Sequence, residues 1–344
     1  MGLAILGDLM LGRHQAPLIN EHGIEGILGD IKGTLGKRKI IANLECPLIK
    51  VSKTKKKESS FSKLYGSEIL AKQLSNYGFE ALSLANNHIF DFGNRGLINT
   101  QKILNQNSIK FFGAGLNKAA SINPAVLEVD KYRIAFLGFS FSNPAQEKKS
   151  GVAYLYDDTV NTAIKKVKSE VDFLIVMPHS GIELYQYPLK RDQKIYRRMI
   201  ELGADLVVGS QSHCIQAMEI YLKKTIYYGI GDLLFDHFHK DTKLDFTSNK
   251  SHSKKFCIEP SFSLMQHSLI ILIDIIAGKL VVKHETVKNK DGHNPKVLTQ
   301  KNKELWMNKF GTLNYNLKNS NSIEKERIAI EKKLLVDLKS RRVI

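Results

Sequence analysis

Five short apolar runs each end in a side chain able to hold a metal ion, and this recurrence constrains the fold more than any other feature of the chain. Residues 2–6 lead into Gly7-Asp8, residues 39–43 into Leu44-Glu45, and residues 81–85 into Asn86-Asn87-His88. Residues 172–177 lead into Pro178-His179, and residues 206–209 into Ser210-Gln211-Ser212-His213. Two further runs, 133–138 and 225–228, have the same length, and amphipathic stretches at 67–77, 96–105 and 192–202 predict helices between them. Short buried strands alternating with helices predict a layered α/β fold. In open α/β sheets ligands bind beyond the carboxyl ends of the strands, where these polar residues fall. One polar residue after a strand is simply a loop; five ligand-type residues in that position imply a site.

Composition agrees with a packed domain. The chain has 344 residues, 43% of them apolar and 25% charged, which excludes a disordered or collagen-like polymer. Cys46, Cys214 and Cys257 are too few and too scattered for a disulfide framework or a structural zinc site. No apolar run approaches the roughly 18 residues that span a bilayer, and no basic segment precedes an apolar one at the start. The expectation is a cytoplasmic protein without a transmembrane segment, peripheral at the membrane at most. A main domain is expected over residues 1–285. A basic C-terminal extension, 286–344, should be aperiodic to about residue 322 and then helical from Ser322, with Ile323, Ile330, Leu334 and Leu338 near helical spacing. Residues 268–282 read as a closing hairpin with its turn at Gly278.

Lysine and arginine number 51 against 34 aspartates and glutamates, an excess of 17. From Val281 onward 15 basic residues face 7 acidic ones, and Lys50, Lys53, Lys55, Lys56 and Lys57 form a second cluster. Such surfaces hold anionic polymers or are merely solvated. No zinc finger, RNA-recognition signature or basic zipper is present, so no nucleic-acid partner is expected.

Asp8 and Glu45 offer carboxylates, Asn87 an amide oxygen, and His179 and His213 imidazoles, a donor set suited to one or two divalent ions such as manganese, zinc or iron. Singly, each has an ordinary explanation: Asp8 caps a turn, Asn86-Asn87 forms one, and His179 sits in a loop. Arg13 is suited to grip a phosphate or carboxylate, or to pair on the surface. Asp91, three residues after His88, orients that imidazole or caps the following helix.

Six segments carry a more specific signal: Gly7-Asp-Leu-Met-Leu-Gly-Arg13, Asn43-Leu-Glu-Cys-Pro-Leu48, Ala85-Asn-Asn-His-Ile-Phe-Asp-Phe-Gly-Asn-Arg-Gly-Leu97, His179-Ser-Gly-Ile-Glu183, the stretch from Gly203 to Glu219, and that from Ile226 to Asp236. In order and spacing they resemble the bacterial capsule-synthesis and poly-γ-glutamate (CapA-type) family, related to calcineurin-like metallophosphoesterases. The resemblance covers about residues 1–237. It implies an αββα sandwich, a metallophosphoesterase-like fold. It also implies that Asp8, Glu45, Asn87, His179 and His213 bind metal, with Glu45 bridging, and that His88 protonates a leaving group with Asp91 beside it. Glu183 and Glu219 match acidic family positions expected in the pocket. Gln211, where the family often has histidine, is counted with Arg13, Glu183 and Glu219 as substrate-binding.

Two departures matter. Met10 stands where the phosphoesterase pattern has histidine, and thioether sulfur is a poor donor to a hard metal. Asp232 stands where the family usually has asparagine. The resemblance therefore implies capsule, exopolysaccharide or poly-γ-glutamate production by a metal-dependent hydrolase or transferase acting on a phosphorylated or carboxylated substrate. The alternative is a non-catalytic assembly factor that grips an anionic polymer and docks a protein partner through its C-terminal helix.

Overall fold

The computed structural model describes residues 2–13, 15–50, 63–235, 265–289 and 294–340. In chain order the strands of the first half are β1 (Leu3–Leu9), β2 (Lys39–Leu44), β3 (Leu48–Ile49), β4 (Gly66–Ser67), β5 (Phe79–Ser83), β6 (Lys110–Phe112), β7 (Ala114–Gly115), β8 (Ala125–Val129) and β9 (Tyr132–Ser140). They continue as β10 (Gly151–Val152), β11 (Phe173–His179), β12 (Leu206–Val208), β13 (Met218–Tyr221), β14 (Lys224–Tyr227), β15 (Asp232–Leu234), β16 (His267–Ile276), β17 (Lys279–Lys288) and β18 (Lys296–Val297). The helices are α1 (Gln15–Leu35), α2 (Leu70–Tyr77), α3 (Gly93–Gln106), α4 (Lys118–Ser121), α5 (Thr159–Lys168), α6 (Lys190–Glu201), α7 (Gln300–Asn319) and α8 (Asn321–Ser340).

Two large sheets form. One runs β18-β17-β16-β1-β2-β5-β6 with β15 also paired to β1; the other runs β13-β14-β12-β11-β9-β8. Strand alternation sorts the side chains between layers. Leu3 and Ile5 of β1, Ile41 of β2 and Ile271 of β16 join a core with Phe136, Ile175 and Val207 of the second sheet. Ala4, Leu6, Ile40 and Ala42 turn the other way, onto Ile27 and Ile31 of α1, Leu74 of α2 and Leu104 of α3. Val160 and Ile164 of α5 and Tyr196 and Met199 of α6 cover the second sheet. The result is helices, sheet, sheet, helices: an αββα sandwich.

The expected strands and helices at 39–43, 133–138, 206–209, 67–77, 96–105 and 192–202 correspond to β2, β9, β12, α2, α3 and α6 with shifted ends. Two differences bear on the site. First, β1 does not stop before Asp8 but runs to Leu9. Its pairing with β2 goes from Leu6↔Ala42 to Asp8↔Asn43, so Gly7 is an extra, bulged residue that re-aims the end of the strand. A Cβ on Gly7 would lie 2.0 Å from the Gly231 carbonyl oxygen, so only glycine lets β15 come this close. Second, the segment expected to be aperiodic contains α7, whose Phe310, Leu313 and Leu317 enter the core. Helix α8 begins at Asn321, and its Arg327 is buried, donating to the Pro188 carbonyl at 2.6 Å and to Gln193 Oε1 at 2.8 Å. The hairpin β16–β17 turns at Ala277-Gly278 but extends to Lys288. The lysines at 53–57 and Cys257 lie outside the described residues.

Candidate metal centre

Asp8 comes from the end of β1, Glu45 from just after β2, and Asn86 to His88 from the turn after β5. His179 ends β11, Ser210 to His213 come after β12, and Asp232 opens β15. Both sheets thus deliver their carboxyl ends to one place. Asp8, Glu45 and His179 offer ligand atoms within 4.8 Å of one another, and so do Asp8, His213 and Asp232. Asn87 Oδ1 lies 3.0 Å from His179 Nε2, which brings all five expected ligands together.

The surroundings fix each donor. Asn43 Nδ2 donates to Asp8 Oδ1 at 2.8 Å and lies 3.4 Å from Glu45 Oε2. Gln211, with φ 91° in the left-handed region, donates its backbone N–H to Asp8 Oδ2 at 3.3 Å. His179 Nδ1 sits 2.8 Å from Ser210 Oγ. His213 Nδ1 is 2.8 Å from Asp232 Oδ1, and its ring packs 4.5 Å from that of Phe235, centroid to centroid. Glu45 Oε1 faces His179 Nε2 at 3.6 Å and His213 Nε2 at 3.9 Å.

Burial dominates the electrostatics. It lifts the Asp8 carboxyl to about 6, aided by the charge of Asp232 and opposed by His213. Burial and then Asp8 lift Glu45 well above the usual carboxylate range. Burial and the nearby His213 and His88 push His179 well down, keeping it neutral as a metal-ligating imidazole must be. Burial alone would lower His213 too, but Asp232 and Glu45 outweigh it and hold that imidazole well above its ordinary value.

Carboxylates packed this closely in a dry site repel one another unless a proton or a cation neutralises them. Glu45 Oε1, Asp232 Oδ2 and Gln211 Oε1 are buried and have no hydrogen-bond partner among the described residues. Unsatisfied buried acceptors are costly and rare. Three carboxylates, two imidazoles and an amide oxygen carrying such orphans fit a divalent metal.

The other expected side chains differ in placement. His88 Nδ1 donates to Asp91 Oδ2 at 2.8 Å, and the same oxygen accepts from the Leu64 N–H at 2.6 Å, leaving His88 Nε2 free of that pair. Arg13 lies half-buried in the turn after β1, at φ 45°. Glu183 is exposed at the rim, close enough for its charge to act on His213. Glu219 does not join the cluster. Its carboxylate is gripped by Arg197 Nε and Nη2 at 2.8 and 2.7 Å and by the Tyr228 hydroxyl, an arrangement that fastens α6 to the second sheet. Met10 is buried, and its sulfur accepts from the Gly12 N–H at 3.2 Å. Asn43, Asn86 and Asp232 are site residues that the sequence reading does not assign. Asn43 and Asn86 stand inside the recognised segments, and Asp232 is visible there only as a departure from the family.

Comparison with known proteins gives a consistent result. The family model described as "Bacterial capsule synthesis protein PGA_cap" matches residues 2–237. The chain is 28% identical over 251 residues to "Capsule biosynthesis protein CapA" of Bacillus anthracis, covering 70% of this chain and 61% of that protein. It is 26% identical over 242 residues to "PGA biosynthesis protein CapA" of Bacillus subtilis, covering 69% of this chain and 63% of that one. The chain therefore spans under two thirds of the length of these curated relatives. Among solved structures, a novel phosphatase of Mycoplasma pneumoniae superimposes with a TM-score of 0.53 at 12% identity, over 85% of this chain and 94% of its own. The likeness is one of fold, the layered sandwich of the metallophosphoesterases. No helix among the described residues is long and apolar enough to cross a membrane.

Proposed function

The chain belongs to the PGA_cap family of bacterial capsule synthesis proteins, and from that membership and its buried cluster we propose that it is a metal-dependent hydrolase or transferase of capsule or poly-γ-glutamate production. The observation that carries this reading is the pairing of two features. One is a carboxylate–imidazole cluster with orphaned acceptors; the other is a histidine next to it, held by its own aspartate.

Asp8, Glu45, Asn87, His179 and His213 would hold a divalent ion, Glu45 Oε1 facing both imidazoles. A divalent metal there supplies Lewis acidity and makes water a competent nucleophile near neutral pH. Asp91 accepts from Nδ1, so His88 acts as a general acid in its imidazolium form, passing the Nε2 proton to a departing oxygen or nitrogen and returning to the neutral Nδ1–H tautomer. Exclusion of solvent from Asp8 and Glu45 strengthens every charge interaction with the reacting group. Arg13, in the turn after β1, and Glu183, exposed beside His213, would contact the substrate's charged groups. The basic surface concentrates an anionic polymer near the site.

The test is hydrolysis of a generic phosphodiester and of poly-γ-glutamate by the full chain with manganese, zinc or iron. Turnover that disappears on chelation and returns with metal supports the enzyme. The buried Met10, its sulfur turned to Gly12, favours the second reading, an assembly factor that binds polymer without cleaving it. Metal-loaded protein that retains polymer yet turns over neither substrate would support that reading instead.

A further inference from the structure

Asp232 needs a fuller account than its contact with His213 provides. It sits on β15, whose parallel pairing with β1 sets Asp8 and Asp232 directly side by side. The side chain is 1% exposed. Its Oδ1 takes the His213 Nδ1 contact at 2.8 Å, whereas its Oδ2 is buried with no hydrogen-bond partner among the described residues. Asp8, His213 and Asp232 each offer a ligand atom, and these atoms lie within 4.8 Å of one another. Just past the end of β1, Met10 contributes no donor of comparable hardness, since its sulfur is engaged by the Gly12 N–H at 3.2 Å.

We propose that Asp232 is itself a metal ligand, binding a divalent cation together with Asp8 and His213 and supplying the donor that Met10 does not. The proposal rests on reading the cluster as a metal centre. It reads Asp232 Oδ1 and His213 Nδ1, 2.8 Å apart, as neighbouring ligand atoms for one ion, with Nδ1 unprotonated and Asp8 Oδ2 4.0 Å from it. Replacing an imidazole donor by a carboxylate makes this position oxygen-rich, a set suited to Mn²⁺. The competing explanation is that Asp232 only orients His213, as outer-shell carboxylates do.

Asp232→Asn separates the two. If Asp232 only orients His213, the amide Oδ1 still accepts from Nδ1–H in an unchanged volume and metal is kept; if it ligates, the anionic oxygen is lost and metal with it. The experiment is equilibrium dialysis of the full chain against Mn²⁺ with elemental analysis, alongside thermal melting of the metal-free proteins. With Asp232→Asn, one equivalent of Mn²⁺ should bind at least roughly tenfold more weakly. The melting temperature should be equal or higher, because a buried like charge is gone. Adding Met10→His to Asp232→Asn should restore the lost equivalent, and failure to restore it would contradict the claim that the two positions substitute for each other. Mn²⁺ binding by Asp232→Asn indistinguishable from the parent, while Glu45→Gln loses it, would overturn this proposal and leave the metal centre standing. A parent chain that binds no Mn²⁺ would overturn both.

Discussion

Asn86 donates from Nδ2 to Asn43 Oδ1 at 3.0 Å, and this contact decides which way the Asn43 amide points. With its oxygen engaged, Asn43 must turn its NH₂ toward Asp8. Asn86 is itself fully satisfied. Its second N–H goes to the Leu44 carbonyl at 2.8 Å, and its oxygen accepts from the His88 and Ile89 N–H groups at 3.1 and 2.9 Å. One buried amide thus ties the strand that precedes Glu45 to the turn that carries Asn87 and His88. Asn86→Ala should weaken metal binding by about 10–100-fold, the usual loss when a ligand's supporting partner is removed. It should also lower stability by about 2–4 kcal/mol through unpaired backbone and side-chain groups. Metal titration and denaturant melts would measure both.

In the proposed function His88 would act on a proton and not on the ion. His88→Gln should reduce turnover of a phosphodiester by about 10²–10⁴-fold, with bound metal unchanged by elemental analysis. Asp91→Asn should produce a smaller loss and shift the pH–rate profile. Loss of metal from His88→Gln would assign it to the coordination shell instead.

Metal affinity should fall with acidity. The Asp8 carboxyl titrates at about 6 in the metal-free protein, and a ligating carboxylate must be ionised. Below pH 6 the apparent affinity should therefore drop about tenfold per pH unit for this one proton. The sign for stability is the reverse. The folded pKa lies above the unfolded one, so Asp8 favours the metal-free fold below about pH 4, and that contribution is lost as pH rises through 6. Added metal should consequently raise the melting temperature more at pH 7.5 than at pH 5.

The C-terminal helices should matter for stability before they matter for binding. Arg327→Ala removes a buried guanidinium and leaves the Pro188 carbonyl and Gln193 Oε1 without their donor. It should cost about 2–4 kcal/mol, seen as a lower melting temperature with metal content unchanged. Lys325, Lys332 and Lys333 are exposed on the same helix. Changing all three to glutamate should weaken co-sedimentation with poly-γ-glutamate at about 0.15 M salt, where the screening length is about 8 Å. Equal retention would mean that these lysines are only a solvated face.

How far the fold and site can be read from sequence depends on the range of the interaction involved. Strand runs and their terminal ligands are local patterns, so β2, β9 and β12 and the conjunction of Asp8, Glu45, Asn87, His179 and His213 are directly legible. The bulge at Gly7 is not, because Gly-Asp ordinarily signals a turn and only the approach of β15 shows why the strand continues. Helix α7 escapes pattern reading because its apolar stripe, Trp306, Phe310, Leu313 and Leu317, is diluted by asparagines and Gly311, which are poor helix formers. Packing against the second sheet supplies what propensity lacks. Glu219 groups with the site by its place in a family segment, whereas the Arg197 that claims it lies on a separate helix. Asp232 stands out in the sequence without an assignable role, since its neighbour Asp8 is brought to it only by the pairing of β15 with β1.

If Asp8, Glu45, Asn87, His179 and His213 form a divalent-metal centre, removing Glu45 should empty it, because its unsatisfied Oε1 faces both imidazoles. The measurement is metal content of the full chain and of Glu45→Ala after dialysis against manganese, zinc or iron and removal of excess. The parent should retain one or two ions per chain and Glu45→Ala almost none, with a cooperative melt in both. Equal metal in the two proteins, or none in the parent, would mean that these five residues do not form such a centre.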